Sequence, residues 1–192
     1  MKNVMNRLQD YYYQCRTVMK NKWNRVLPLS EYFVDRWEKA RFLNFGEKTS
    51  IYDSSIVMGD VKVGGSTWIG PYTMLDGSGA RLEIGNHCNI STGVQIYTHD
   101  TVKNCVSGGL YSKEVGSVRI GDNCYIAPAS IISKGVILGR SCVVCAESFV
   151  NKSYEDFSII GGIPAKKIGE VEILDKGEVH LRYYSRMQLD EN

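Results

Sequence analysis

Between Ile51 and Val150 the chain repeats itself every six residues. Aliphatic side chains stand at Ile51, Val57, Val63, Ile69 and Leu75, then at Ile84, Ile90 and Ile96 after a three-residue insertion. After a longer break they return at Ile120, Ile126, Ile132, Leu138, Val144 and Val150. A period of six serves neither an amphipathic helix, which needs 3.6, nor a lone half-buried strand, which needs 2. It predicts a coil with flat sides. Each hexad makes one short strand and one turn, the aliphatic residue points inward, and coils stack strand on strand in parallel.

Two further columns follow the same rhythm. The fifth position of each hexad is small: Ser55, Val61, Thr67, Thr73, Cys88, Val94, Cys124, Ser130, Val136, Cys142 and Ser148. These are expected to face inward at corners with little room. Glycine often follows the aliphatic residue, at Gly64, Gly70, Gly85, Gly121 and Gly139. Glycine or a small polar residue is expected to take the turn there, where the backbone can need φ > 0. The register also bears on "CVVC", residues 142 to 145. Alone it reads as a redox or metal half-site. With Cys142 at a small inward position it reads as packing, because a buried thiol behaves as a small hydrophobe.

The ends change period. Val4, Leu8, Tyr11, Tyr12, Cys15, Val18, Met19, Trp23 and Val26 recur at steps of three and four, which predicts an amphipathic helix over 4–26. Lys2, Arg7, Arg16, Lys20, Lys22 and Arg25 oppose only Asp10, a local balance of +5 within a chain of net +2. Such a helix packs on its own protein or a sister subunit, or rests on an anionic membrane. A second helix is expected from an N-cap at Ser30 to Gly46, and a short helix or irregular extension in the tail. The domain reading is a helical segment over 1–46, the coil over 47–160 with an inserted loop at 97–117, and a closing motif and tail over 161–192.

At 192 residues the chain has the size of one domain. A net charge of +2 makes no case for nucleic acid. No apolar run reaches membrane-spanning length, and the N-terminus lacks the unbroken apolar stretch of a signal peptide. A cytoplasmic location, with the inner face of the membrane as an option, is the expectation. No P-loop or dinucleotide fingerprint occurs.

The phrases "VKVGGSTWIGPYTML", "LEIGNHCNISTGVQI" and "VRIGDNCYIAPASIISKGVILGRSCVV", with the ending "SIIGGIPAKKIGE", resemble the hexapeptide-repeat acyltransferases. The resemblance covers roughly residues 48 to 170 and is nearest to bacterial O-acetyltransferases that modify surface polysaccharides and their precursors. It implies a mainly β fold, the left-handed parallel β-helix, assembled as a homotrimer. It also implies acetyl-CoA as co-substrate, a sugar or polysaccharide acceptor, and no metal.

The resemblance gives the break in the rhythm a meaning. In the family a loop leaves the coil with a catalytic histidine at its start, and "IYTHD" puts His99 there. An imidazole titrates near working pH and suits removal of a hydroxyl proton. Asp100 either orients that imidazole or is merely solvated. Carried over residue by residue, Tyr125, Ala127, Ala146, Lys152, Pro164 and Lys166 face the cofactor. Tyr125 and Ala127 replace the family's usual tryptophan and glycine. Pro128 has no N–H to offer as an oxyanion donor, which leaves the Ala127 amide or a side chain. Lys166 is the phosphate-facing lysine of its pair, with Lys167 neutral. An N-acetyltransferase of nucleotide-linked amino sugars and a non-catalytic β-helix binding protein are the alternatives. A zinc enzyme of the γ-carbonic anhydrase type would need all three histidines, His87, His99 and His180.

Overall fold

The computed structural model describes residues 2–185. Strand pairing resolves the hexads into three flat faces. Ser50–Ile51, Trp68–Ile69, Asn89–Ile90, Tyr125–Ile126, Val143–Val144 and Ser158–Gly162 stack along the first. The second face carries the starts of the strands Ile56–Val63 and Met74–Ile84, then Gln95–Tyr97, Ile131–Ile132 and Phe149–Val150. The third carries the ends of those two long strands, then Val118–Ile120 and Ile137–Leu138. Every one of these pairings is parallel, so the architecture is a β-helix of triangular section.

Like residues stack over like. Ile51, Ile69, Ile90, Ile126, Val144 and Ile160 form one internal ladder, and Leu75, Ile96, Ile132 and Val150 another; all are fully buried. Val57 alone among the fourteen repeat positions is only partly buried, because it lies in the first coil with no coil beneath it. The small corner residues do more than save space. Ser55, Thr67 and Ser130 donate to the carbonyls of Gly70, Gly85 and Cys145, at 2.6, 2.9 and 2.8 Å. Cys88, Cys124 and Cys142 place their thiols 3.2, 3.1 and 3.1 Å from the carbonyls of Gly121, Gly139 and Glu155. Cys142 and Cys145 are free thiols, and burial pushes the Cys145 thiol up. Their role is packing, as the register indicates.

The glycines follow a different physical logic from the one expected. The left-handed position of the turns is held by Ser66, His87, Asn123 and Ser141, with φ between 53° and 60°. The column Gly64, Gly85, Gly121 and Gly139 is glycine for want of room. A Cβ on Gly85 would lie 2.7 Å from the Asp122 nitrogen, and one on Gly121 would lie 2.7 Å from the Gly139 carbonyl carbon. Coils approach each other there too closely for any side chain.

Both ends of the coil are covered. Helix α1 spans Lys2–Trp23, close to the predicted extent. The second helix starts later than Ser30: Leu29–Tyr32 is a 3-10 turn, and α2 runs Arg36–Phe42. Asp35 is the true cap, accepting from the Trp37 and Glu38 amides at 2.8 and 3.0 Å. Glu31 explains the delay. Its buried carboxylate accepts from the Asp53 and Ser54 amides, at 3.2 and 3.0 Å, and so leaves the helical path. From α2, Ala40 enters the core, and Lys39 donates to the carbonyls of Tyr52, Asp53 and Ser55, closing the first coil. The other end is closed by strands rather than by the helix or irregular tail expected. Ala165–Ile173 pairs antiparallel with Ser158–Gly162 and with Val179–Tyr183. The last seven residues of the tail, 186–192, lie outside the described residues.

Candidate active site

The register locates both interruptions. Successive rungs of the first face advance by 18 residues (Ser50 to Trp68), then 21 (to Asn89), 36 (to Tyr125) and 18 (to Val143). A plain coil is therefore 18 residues, and two coils carry insertions of 3 and 18. Both insertions leave the second face, where Leu75 pairs with Ile96, and they emerge at the same corner one coil apart.

The longer insertion is a small structured arm. His99–Asp100 pairs antiparallel with Glu114–Val115, and between them lies a one-turn helix, α3, Val102–Val106. Lys134, from the next coil, pairs with Asp100 and lies 3.6 Å from Glu114. Lys103 bonds Glu114 at 2.8 Å. These cations hold the Asp100 and Glu114 carboxyls below the usual carboxylate range. Asp100 is thus occupied with anchoring the arm and does not touch His99, because neighbours on an extended strand point to opposite sides.

The carboxylate facing His99 is Asp76. Its Oδ2 lies 3.6 Å from His99 Nδ1, and the Asp76 side chain is 4% exposed. His99 Nδ1 is buried without a hydrogen-bond partner, while the histidine side chain as a whole is 24% exposed. One ring edge is thus turned toward an acid in the protein. Asp76 is held by the Ser78 amide and hydroxyl, at 2.9 and 2.5 Å. The short insertion makes the close packing possible. Thr98 accepts from the Gly79 and Ala80 amides at 3.2 and 3.1 Å. A Cβ on Gly79 would fall 2.6 Å from His99 Cβ.

Asp76, Ser78, Gly79, Thr98 and Lys134 were not singled out by the sequence. One signal pointed to the first three: the hexad count slips by three residues one coil ahead of the histidine.

The carried-over cofactor positions separate into two groups. Lys152 and Lys166 line one cleft of about 430 Å³ with Ser153, Tyr154, Glu155, Ser158, Lys167 and Tyr184. Lys167 is spent on Glu170 at 2.6 Å, whereas neither Lys152 nor Lys166 has an acidic partner among the described residues. Lys152 lies over the Tyr154 ring at 5.6 Å. Pro164 is exposed in the turn that leads into the Lys166 strand. Ala146 is exposed, and its amide has no backbone acceptor among the described residues, while those of Cys145 and Glu147 do. Tyr125 is 43% exposed on the first face. Ala127 departs from expectation. It is buried, and its N–H is bonded to Val144 at 2.9 Å, so that amide is not free as an oxyanion donor. Stacking of coil on coil consumes it.

The three histidines are not gathered. His87 is exposed in a turn, and His180 meets Glu178 at 2.8 Å in the tail hairpin. No group of three or more His, Cys, Asp or Glu is placed to hold a metal among the described residues.

No family model matches the chain. Protein CapG of Staphylococcus aureus is 40% identical over 99 residues, covering 47% of this chain and 54% of the relative. The carnitine operon protein CaiE of a Proteus species is 27% identical over 130 residues, covering 65% and 66%. In neither case does the match reach two thirds of the relative's length. Among solved structures, AntD, an N-acyltransferase from Bacillus cereus in complex with dTDP and 3-hydroxybutyryl-CoA, superposes with a TM-score of 0.60 at 25% identity, over 77% of this chain and 75% of that one. A maltose O-acetyltransferase from Clostridium difficile shares the fold with a TM-score of 0.56 at 22% identity, over 86% and 88%. Three parallel faces built on hexads, broken at one corner for a histidine-bearing arm, give the chain the β-helix fold that these acyltransferases share.

Proposed function

We propose that the protein is an acetyl-CoA-dependent O-acetyltransferase, acting on a hydroxyl of a sugar or surface-polysaccharide unit as a homotrimer. The observation that carries the reading is His99, held at the coil break with one ring nitrogen turned to the buried Asp76 and the rest of the ring partly open.

The residues fit the cofactor. Lys152 and Lys166 offer two ammonium groups without acidic partners at one cleft, suited to phosphates as point charges. Acetyl-CoA, when bound, supplies the acyl group as an activated thioester. His99 Nε2 accepts the proton of the attacking hydroxyl as the new C–O bond forms and the C–S bond breaks. The imidazolium then returns that proton to the departing sulfur. Asp76 stabilises the imidazolium at Nδ1 while it exists. The 3.6 Å separation is long for a hydrogen bond, as resting sites often are, and closes once the ring is charged.

A second reading has one observation in its favour. The likeness to AntD, an N-acyltransferase in complex with dTDP and 3-hydroxybutyryl-CoA, suits N-acylation of a nucleotide-linked amino sugar. One assay separates the two: acetyl transfer measured over a panel of neutral sugars, oligosaccharides and nucleotide-linked amino sugars. His99→Ala is run beside the native chain. Transfer to hydroxyl acceptors, with kcat about 10² to 10⁴ lower in the variant at unchanged fold, is the expected result. Turnover of amino sugars alone would favour the second reading. Near-normal transfer by the variant would remove His99 as the base.

A further inference from the structure

Helix α1 has more surface than its own chain covers. It is 22 residues long, about 33 Å at 1.5 Å per residue. Only Tyr12, Cys15 and Met19 are half-buried among the side chains described along it. The contacts that hold it are ring contacts to the following turn: Tyr12 with Tyr32 at 5.7 Å, and Tyr11 with Phe33 at 5.7 Å. The apolar stripe extends well past them. Val4 is 68% exposed, Leu8 50%, Val18 61% and Trp23 58%. The two N-terminal turns of the helix therefore present aliphatic side chains to solvent.

The charges flank this stripe. Arg7 lies on one side of it, Arg16 and Lys20 on the other, and Lys22 at its end. None has an acidic partner among the described residues. Arg16 lies over Tyr12 and Tyr13, at 5.2 and 4.9 Å, and Lys22 over Trp23 at 5.2 Å. Long basic side chains that lie along aromatic rings keep their charge at the edge of an apolar stripe. The segment carries +5 through residue 26, against +2 for the whole chain. A surface complementary to this face is therefore anionic, and apolar beneath.

We infer that α1 docks on an anionic lipid bilayer, lying in the plane of the headgroups with Val4, Leu8, Val18 and Trp23 turned into the acyl boundary. An apolar stripe with Trp at one end and basic residues on both flanks is the form of an interfacial helix. No helix among the described residues is long and apolar enough to cross a membrane, so the contact is peripheral.

Sedimentation with vesicles of phosphatidylcholine, with and without about one third phosphatidylglycerol, tests this on the full chain. Binding to the anionic vesicles only, weakening as salt rises, is expected. Arg16→Ala with Lys20→Ala lowers the partition by roughly tenfold or more, and Leu8→Asp abolishes it, with acetyl transfer to a soluble acceptor kept. Equal behaviour toward both vesicle types at low salt overturns the inference. So does a change in oligomer mass on Leu8→Asp without vesicle binding, which assigns the stripe to a second copy of the chain.

Discussion

Asp76 is the residue that most sharpens the chemistry. It is an acid almost wholly removed from solvent, and among the described residues the one basic side chain within 4 Å of its carboxylate is His99. A base that gains a proton needs a partner for the new charge, and the buried Nδ1 has no hydrogen-bond partner among the described residues. Asp76→Asn keeps size and the Ser78 contacts but removes the negative charge. A charge-assisted contact is worth about 1.5–3 kcal/mol, so kcat is expected to fall roughly tenfold to a hundredfold. The KM for acetyl-CoA is expected to stay, which steady-state kinetics reads directly. An equal loss in both parameters would mean that Asp76 shapes the fold of the corner rather than the reaction. Asp100 was the acid visible beside the histidine in sequence; Asp76, twenty-three positions earlier, is beside it in space. That distinction lies in the coil register, since Asp76 pairs with Tyr97 one coil away.

At the scale of elements, the two insertions act as one device. The Ser78–Gly79–Ala80 bulge supplies two amides to Thr98, and Gly79 leaves the gap in which His99 sits. Gly79→Ala puts a methyl where His99 Cβ stands, and overpacking of this kind costs about 1–3 kcal/mol. The expected outcome is a lower melting temperature and a large fall in kcat with acetyl-CoA binding kept, read by calorimetry on the variant. The closing hairpin makes a separate contribution. Lys166 is the lysine of its pair without an acid, so Lys166→Ala is expected to raise KM severalfold for acetyl-CoA and less for dephospho-acetyl-CoA, with the difference shrinking in salt. Equal weakening toward both would move Lys166 away from the 3′-phosphate. The hexads made the faces legible because a period of six has only one physical reading. The slip between Leu75 and Ile84 was legible as a slip, yet its purpose was not: it depends on which corner the next coil leaves from. The role of the glycines was misjudged for a similar reason. Crowding between coils is a contact across the stack, whereas sequence neighbours suggest only a turn. The later start of α2 rests on Glu31 reaching a loop more than twenty residues away.

For the whole molecule, the proposed assembly rests on the arm after His99. Beyond Asp100 its side chains turn outward: Val102 is 64% exposed, Val106 81% and Leu110 93%. An arm anchored by Lys134 at its base carries these apolar groups away from its own coil, where no described residue covers them. The cleft holding Lys152 and Lys166 lies at the closing end of the stack, toward the last coils, while His99 stands at the break in the middle. A second copy set beside the first would cover the arm and supply the facing wall that a partly open imidazole lacks. Cyclic assembly repeats one such contact without leaving an open face, and the trimer proposed above is one such closed form. Light scattering is expected to give about 65 kDa, three chains of 21.6 kDa. Leu110→Asp with Val106→Asp should break the particle into smaller species and abolish transfer, while leaving the far-ultraviolet circular dichroism of the coil in place, since neither side chain enters the core. Full activity in a monomer, native or variant, would place the whole site on one chain and remove the need for a neighbour.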